Sequence, residues 1–556
     1  MINTKSTLVF AVALLFFACG KSSKSNPDPV KPTPSSFTFS SVKVNGKSQG
    51  FTYTDVSTKP AISISFSEPL NRSLAGGSVA ITDAAGAAAA FTVAFQHNDS
   101  TLVITPNGLQ NISRYTVNVS TALKSAKSGS LQSAVQIKLT TSIDSTPKFP
   151  LVSDTELLDL VEKQTFRYFY DFGHPTSGLA RERNSSGDVV TSGGSGFGIM
   201  AIIAGINRGY ITHADGLARL QKIVGFLNTK AQKFHGALPH WLNGTTGAVV
   251  PFSAQDNGAD LVETSYLMQG LITARQYFND ASQAETQLRA DINALWNGVE
   301  WDWFRQNNQN VLYWHWSPDQ NWAINMKISG WNEALITYVL GASSTTHGIP
   351  KSVYDQGWAA NGGIKNGKTF YNVTLPLGPD RGGPLFFAHY SFLGINPNGL
   401  SDAYANYETQ NKAHALINYN YCVTNPLGNG GYSADCWGLT ASDIQGGYTA
   451  SSPTNDVGVI APTAAIASLP YTPAQSMAAL RFFYYTLGDK LWGEYGFHDA
   501  FNLTDPWFAD SYLAIDQGPI VVMIENYRSG LLWNLFMSAP EIKTGMKSLG
   551  FSSPNL

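Results

Sequence analysis

154-DTELLDLVEKQTFRYFY-170 and 194-GSGFGIMAIIAGI-206 are two segments whose contrast decides the fold. In the first, Leu157, Leu158, Val161, Thr165 and Phe169 recur at helical spacing behind Asp154, which is expected to cap the helix. One face is apolar and the other polar, so the helix buries one side and wets the other. In the second, apolar and small residues run all the way round, so that helix must be buried on every side. The alternation continues toward the C-terminus. Amphipathic segments are expected at 213–231, 281–296, 351–358, 404–421 and 473–487, and all-round apolar ones at 260–277, 330–340, 384–393, 456–469 and 516–535. Six such pairs predict an all-α (α/α)6 toroid over residues 153–550, with the amphipathic helices outside and the apolar helices inside.

Upstream the period changes. Ala61-Ile62-Ser63-Ile64-Ser65-Phe66, Thr101-Leu102-Val103-Ile104 and Tyr115-Thr116-Val117-Asn118-Val119 alternate with period two, and Gly76-Gly77 and Pro106-Asn107-Gly108 punctuate them. Short strands at this spacing predict a β-sandwich over 37–143. The series of runs resembles the bacterial Ig-like domains of exported enzymes, and it carries no catalytic constellation, so a spacer role is expected. Before it, Lys21 to Ser36 (KSSKSNPDPVKPTPSS) reads as a flexible tether, 19–36.

Residues 1–18 read as a lipoprotein signal peptide. Lys5 supplies the positive region, Leu8 to Phe17 is too short to span a bilayer, and Phe16-Phe17-Ala18-Cys19 resembles a lipobox, with Phe where Leu is usual. Lipidation at Cys19 is expected to tether the protein to a membrane, placing it in the periplasm or outer membrane of a Gram-negative bacterium. Cys422 and Cys436 either form a disulfide in an oxidising compartment or stay as buried thiols. No zinc-ligand spacing is present, and no metal or cofactor is expected.

Of the 556 residues 13% are charged and 12% aromatic, and the net charge is -3. Few charges and many rings suit stacking on neutral, hydroxyl-rich ligands, whereas nucleic acid would require a concentrated basic surface.

In such a ring the inner helices start at one end, which gathers unpaired N–H groups and loops. Asp256, Asp260 and Glu263 form the densest acidic cluster at these starts, and their spacings of four and three share one helical face. Like charges there raise one another's pKa; the trio could serve in acid–base chemistry, bind a hard cation or bind sugar hydroxyls. Glu333 follows Trp331-Asn332 and precedes Ala334-Leu335-Ile336, so apolar surroundings should keep its proton and make it the general acid. Asp516 opens the last inner helix and is the first choice for the base that activates water, with Asp510 and Glu525 competing. Glycosidic cleavage needs such a protonated and ionised pair, about 5 Å apart for retention and roughly 6.5–9.5 Å for inversion; carboxyls on separate inner helices favour inversion. His240, Trp331, His389, Tyr390, Trp437 and Trp507 are the expected sugar-binding residues, with Trp314-His315-Trp316 and Trp322 as further platforms and loop packing as the alternative use of these rings.

Phe166-Arg167-Tyr168-Phe169, Ser195-Gly196-Phe197-Gly198, Leu238-Pro239-His240-Trp241, Asp260-Leu261-Val262-Glu263-Thr264, Gly330-Trp331-Asn332-Glu333, Pro384-Leu385-Phe386 and Asp516-Gln517-Gly518-Pro519 together resemble the bacterial glycoamylase domain, and within it the endo-β-1,2-glucanases of glycoside hydrolase family 144. The resemblance implies an (α/α)6 toroid, an inverting mechanism, action on β-1,2-glucan with release of sophorose-type products, and Asp256, Asp260, Glu263 and Glu333 as acids of the pit. The expected partner is therefore a β-glucan, cut by a monomer; a glucoamylase-like or exo-acting hydrolase and a non-catalytic glycan-binding lipoprotein are the alternatives.

Overall fold

The computed structural model describes residues 37–556. The expected signal peptide and tether, with Cys19, lie outside the described residues. The chain divides into two compact units between Thr141 and Ser142.

The first unit is a β-sandwich. One sheet has the order β1 (Phe39–Val44), β3 (Ile62–Phe66), β6 (Thr101–Pro106), β5 (Phe91–Gln96); the other runs β2 (Thr52–Val56), β8 (Val135–Thr141), β7 (Arg114–Val119), β4 (Val79–Asp83). Strand β2 pairs parallel with β8, and the remaining pairs are antiparallel. Period two places Ile62, Ile64 and Phe66 of β3 and Val135, Ile137 and Leu139 of β8 in one shared core.

The second unit is helical. Apart from single turns, its helices are α1 (Asp154–Tyr170), α2 (Ser192–Asn207), α3 (His213–Thr229), α4 (Leu261–Tyr277), α5 (Gln283–Asn297), α6 (Leu335–Ser343), α7 (Tyr407–Thr424), α8 (Pro462–Ile466), α9 (Pro473–Arg481), α10 (Ala514–Ser529), α11 (Leu531–Ser538) and α12 (Pro540–Leu549). The all-round apolar helices are the buried ones: in α2 and α4 all but the last few residues are buried. They pack side by side, α10 on α2, α2 on α4, α4 on α6, α6 on the 3₁₀ turn Tyr390–Leu393, and α10 on both that turn and α8. The amphipathic helices lie against them, α1 on α2 and α10, α5 on α4. None of the described helices is long and apolar enough to cross a membrane.

Several expected boundaries move, each for a local reason. Ser153 rather than Asp154 caps α1, through a capping box with Glu156. Gly330 sits at φ 83°, in the left-handed region, so the helix expected from 330 begins only at Leu335 and Trp331, Asn332 and Glu333 precede it. The segment 384–393 folds as two 3₁₀ turns, Leu385–Ala388 and Tyr390–Leu393, tied to α6 where the Ile336 N–H donates to Ser391 Oγ at 3.0 Å. Asp456 stays in a loop, held by hydroxyls of Tyr421 and Tyr432 and the amide of Asn429, so α8 starts at Pro462. Gly530, at φ 67°, splits the expected last helix into α10 and α11. Cys422 and Cys436 are buried free thiols, and burial pushes the Cys422 thiol up to about 12.

Candidate active site

The starts of α2, α4, α6 and α10, together with a hairpin, surround a cavity of about 430 Å³. Thr191, Glu263, Glu333 and Ile515 contribute from the helix starts, His240 and Trp241 from the segment between α3 and α4, and Ala441, Tyr448 and Ala450 from the hairpin β9 (Ala441–Ile444) and β10 (Gly447–Ala450).

The first acidic group is built on the start of α4. Asp260 is its N-cap: Oδ1 accepts from the N–H groups of Val262 at 3.0 Å and Glu263 at 2.9 Å, while Oδ2 accepts from His240 Nδ1 at 3.1 Å. Burial works against this carboxylate, but the hydrogen bond from His240, the positive fields of His315 and His240 and the backbone N–H of Glu263 outweigh it and hold Asp260 below its ordinary range. Asp260 is therefore an ionised anchor, with no proton to give. Glu263 lies one turn further in. Its Oε2 accepts from the Gly193 N–H at 2.8 Å and from Thr191 Oγ1 at 3.3 Å, which ties α4 to the start of α2. A Cβ on residue 193 would stand 2.5 Å from that oxygen, so the contact requires glycine. Burial raises the Glu263 carboxyl, opposed by the neighbouring His240 and reinforced by Asp260. His240 in turn is pushed up to about 9: burial disfavours its charge, but Glu263 and the hydrogen-bonded Asp260 more than restore it. The group thus carries an imidazolium between carboxylates.

Asp256 lies behind His240 and His315, with its Oδ2 4.0 Å from His240 Nδ1 and 3.6 Å from His315 Nε2; burial and the charge of Asp260 push it up to about 7. His240, Asp256 and Asp260 each offer a ligand atom within 4.8 Å of the others and are the one set among the described residues spaced to hold a cation. The Asp260 oxygens are already committed to two backbone N–H groups and to His240, and that bond satisfies both partners without a metal.

Glu333 faces the cavity from the loop before α6. Its backbone carbonyl is gripped by the hydroxyls of Ser391 and, at 3.4 Å, Tyr266, which fixes the loop where Gly330 has turned it. Burial, with smaller contributions from the charges of Glu263 and Asp260, pushes its carboxyl up to about 7. An acid that is still protonated near neutrality and borders a cavity is suited to donating a proton to a leaving oxygen.

The second acidic group is at the start of α10. Asp516 is 2% exposed and does not itself line the cavity, but its charge bears on Tyr390 and Tyr448, two rings that do. It is in hydrogen-bond contact with Asp499, whose Oδ2 accepts from the Asp443 N–H at 2.6 Å. The Asp443 carboxylate accepts from Arg183 Nη1 at 3.1 Å on both oxygens and from Ser511 Oγ at 2.6 Å. Arg183 and Glu182, joined at 3.0 Å, return to the cavity wall.

The rings expected to carry sugar divide. Tyr390 and His240 line the cavity, joined by Trp314 and Trp241. Trp331 does not: it is buried, donating from Nε1 to His414 at 3.4 Å. His389 is fully buried and paired with Ser468 at 3.0 Å; burial pushes it down to about 3, so it is a neutral packing residue. Trp437 is core, its indole N–H satisfied by the Gln475 carbonyl. Trp507 sits in a two-stranded ladder with Asn502, outside the cavity wall. Trp316 and Trp322 pack around Trp303 and His235. Asp510 stays in the loop before α10, and Glu525 lies far along that helix, satisfied by Arg208 at 2.6 Å and Asn207 at 3.1 Å. Residues that sequence reasoning passed over include Phe252, stacked on His240 at 4.4 Å, and Tyr266, Arg183, Glu182 and Tyr448. Phe252 and Tyr448 are about half exposed at 51% and 50%, unusual for rings, and no sequence pattern marks them.

Comparison with known proteins fits this geometry. A family model described as "Putative glucoamylase" (Glycoamylase) matches residues 325–540, and one described as a bacterial Ig-like domain matches 44–141. The crystal structure of an endo-beta-1,2-glucanase from Chitinophaga pinensis, in complex with sophorotriose and glucose, is 53% identical, covers 73% of this chain and 100% of its own, and superposes with a TM-score of 0.72. The chain belongs to the bacterial glycoamylase-domain family. Within this family, a beta-1,2-glucanase from Parabacteroides distasonis is 39% identical over 93% of this chain and 74% of its own, with a TM-score of 0.70. An exo beta-1,2-glucooligosaccharide sophorohydrolase (non-reducing end) from the same organism is 49% identical over 420 residues, 72% of this chain. The match spans 58% of that curated relative's length.

Proposed function

We propose that this protein is a glycoside hydrolase that cleaves β-1,2-glucan by inversion, within an (α/α)6 toroid whose inner helix starts form the active site. The observation that carries this reading is Glu333: a cavity-facing carboxyl pushed up to about 7 by burial. Glu333 would protonate the glycosidic oxygen as the bond to the anomeric carbon breaks. Asp516 would take a proton from the water that attacks that carbon from the opposite face. His240 and Glu263 would bind sugar hydroxyls, and with Asp260 would hold Glu333 protonated through the group's negative field. Trp241, Trp314, Phe252 and Tyr448 would pack against the apolar faces of the glucose rings. The relatives named for action on β-1,2-glucan support the linkage.

Endo cleavage is the favoured mode, supported by the relative from Chitinophaga pinensis. Exo release of sophorose is a second reading, favoured by the 49% identical sophorohydrolase. The protein is further proposed to be an exported monomer, lipid-anchored through Cys19. Incubation with linear β-1,2-glucan, laminarin, starch and cellulose, followed by chromatography over time, tests the assignment. Endo action gives a ladder of intermediate β-1,2-oligosaccharides early, exo action gives sophorose from the start, and cleavage of starch alone overturns the linkage. NMR of the freshly released anomer tests inversion.

A further inference from the structure

Asp499 Oδ1 and Asp516 Oδ2 are both fully buried, and among the described residues no donor reaches either oxygen. The two carboxyls are nevertheless in hydrogen-bond contact with each other. Two buried carboxyl oxygens without a donor can meet only if a proton lies between them. The other groups facing the pair are Asp443 from β9, Arg183 from the loop after α1, Tyr448 from β10 and Tyr390 from the 3₁₀ turn. Arg183 is the one cation among them, and it is already divided between Asp443 and Glu182. The local charge therefore disfavours two carboxylates at 499 and 516.

We propose that Asp499 is a positioning residue for Asp516, the two carboxyls sharing one proton so that the pair acts as a single-charge base. The inference rests on the reading of Asp516 as the water-activating group. When water attacks the anomeric carbon, its oxygen forms the new bond and its proton passes to Asp516. The shared proton stays between Asp516 and Asp499 or shifts fully onto Asp499, so the pair goes from one net negative charge to none. In the same step the leaving oxygen takes the proton of Glu333, which becomes a carboxylate. The Asp443 N–H on Asp499 Oδ2, with Asp443 itself locked by Arg183 and Ser511, fixes the orientation of Asp499. Burial and the neighbouring carboxylates raise both members of the pair, Asp499 to about 7, as expected for acids that cannot both ionise.

The test is the pH profile of kcat/KM on linear β-1,2-glucan for the full chain and for Asp499→Asn and Asp516→Asn. An asparagine at 499 can keep the bond from the Asp443 N–H and replaces the shared proton with a permanent N–H donor. That N–H is a weaker donor than the carboxylic-acid proton, so it stabilises the ionised Asp516 less. The expected result is an acid limb displaced by about one pH unit or more toward higher pH, with the plateau within about tenfold of the wild-type value. An acid limb left in place in a variant with unchanged circular dichroism overturns the proposal. Asp516→Asn is expected to lose about a thousandfold or more; if it keeps its activity, the assignment of Asp516 as base fails, which is distinguishable from failure of the pair. Infrared spectroscopy supplies a readout free of turnover. The carboxylic-acid C=O band should lose the intensity of one group in Asp499→Asn, and an unchanged band overturns the shared proton even if the variant is inactive.

Discussion

Gly193 and Glu333 show how single residues set the chemistry of the site. The Gly193→Ala variant would place a methyl group 2.5 Å from Glu263 Oε2 and 2.8 Å from the Tyr266 ring, so Glu263 must move. Overpacking of this kind costs about 1–3 kcal/mol. We expect a lower midpoint in guanidinium denaturation and a loss of activity larger than the stability change alone would give; unchanged kinetics would mean that Glu263 is not part of the working site. For Glu333→Gln, which keeps the shape but cannot donate the proton, kcat on β-1,2-glucan should fall about 10³-fold at an unchanged melting temperature. The general acid must be protonated to act. A Glu333 carboxyl raised to about 7 therefore keeps the enzyme active below that pH, and the basic limb should fall as pH rises through about 7. A plateau extending well above pH 8 in kcat/KM would remove Glu333 from the role. Because the Asp260 oxygens are satisfied by backbone N–H groups and His240, prolonged dialysis against EDTA should leave the rate unchanged; a rate restored only by added divalent cation would put a metal in the His240, Asp256 and Asp260 set.

The β9–β10 hairpin is the element with the clearest division between stability and function. Its ladder pairs Ala441 with Ala450 and Asp443 with Tyr448, and so places Asp443 toward Arg183 while Tyr448 borders the cavity with half its surface exposed. A ring exposed to that extent contributes little to the fold, but one stacking contact with sugar is worth about 1 kcal/mol. Tyr448→Ala should raise KM by roughly fivefold with little change in melting temperature, as read by steady-state kinetics and calorimetry. A fall in stability with unchanged KM would make the ring structural. Helix α1 behaves in the opposite way. Its capping box through Ser153 lies outside the site, so Ser153→Ala is expected to cost about 1 kcal/mol of stability and no activity.

At the scale of the whole molecule, the β-sandwich has its own core and the helical unit its own cavity. The Chitinophaga pinensis structure covers 73% of this chain and 100% of its own length, which matches a helical unit able to stand alone. A protein beginning at Ser142 is therefore expected to fold and to cleave soluble β-1,2-glucan within about twofold of the full chain, measured side by side at equal molar concentration. A larger loss would give the sandwich a part in substrate binding.

Periodicity is a local property, and it made much of this architecture legible. The period-two runs announced the strands of the sandwich, and the contrast between one-sided and all-round apolar segments marked which helices would be buried, because burial is paid for residue by residue along the chain. The acids at the helix starts, Asp260, Glu263 and Glu333, were legible for a related reason: polar residues interrupt apolar helices only where something must be capped or bound. What only the tertiary structure decided is which groups meet. Asp499 and Asp443 come from segments with no helical signal, and they matter only because the fold brings them to Asp516. Trp437, His389 and Trp331 look as suitable as Trp241 and Phe252 in sequence, yet the first three are packed into the core and the last two border the site. An aromatic ring supplies the same apolar area to a core as to a sugar, so its use is decided by the neighbours that long-range packing supplies.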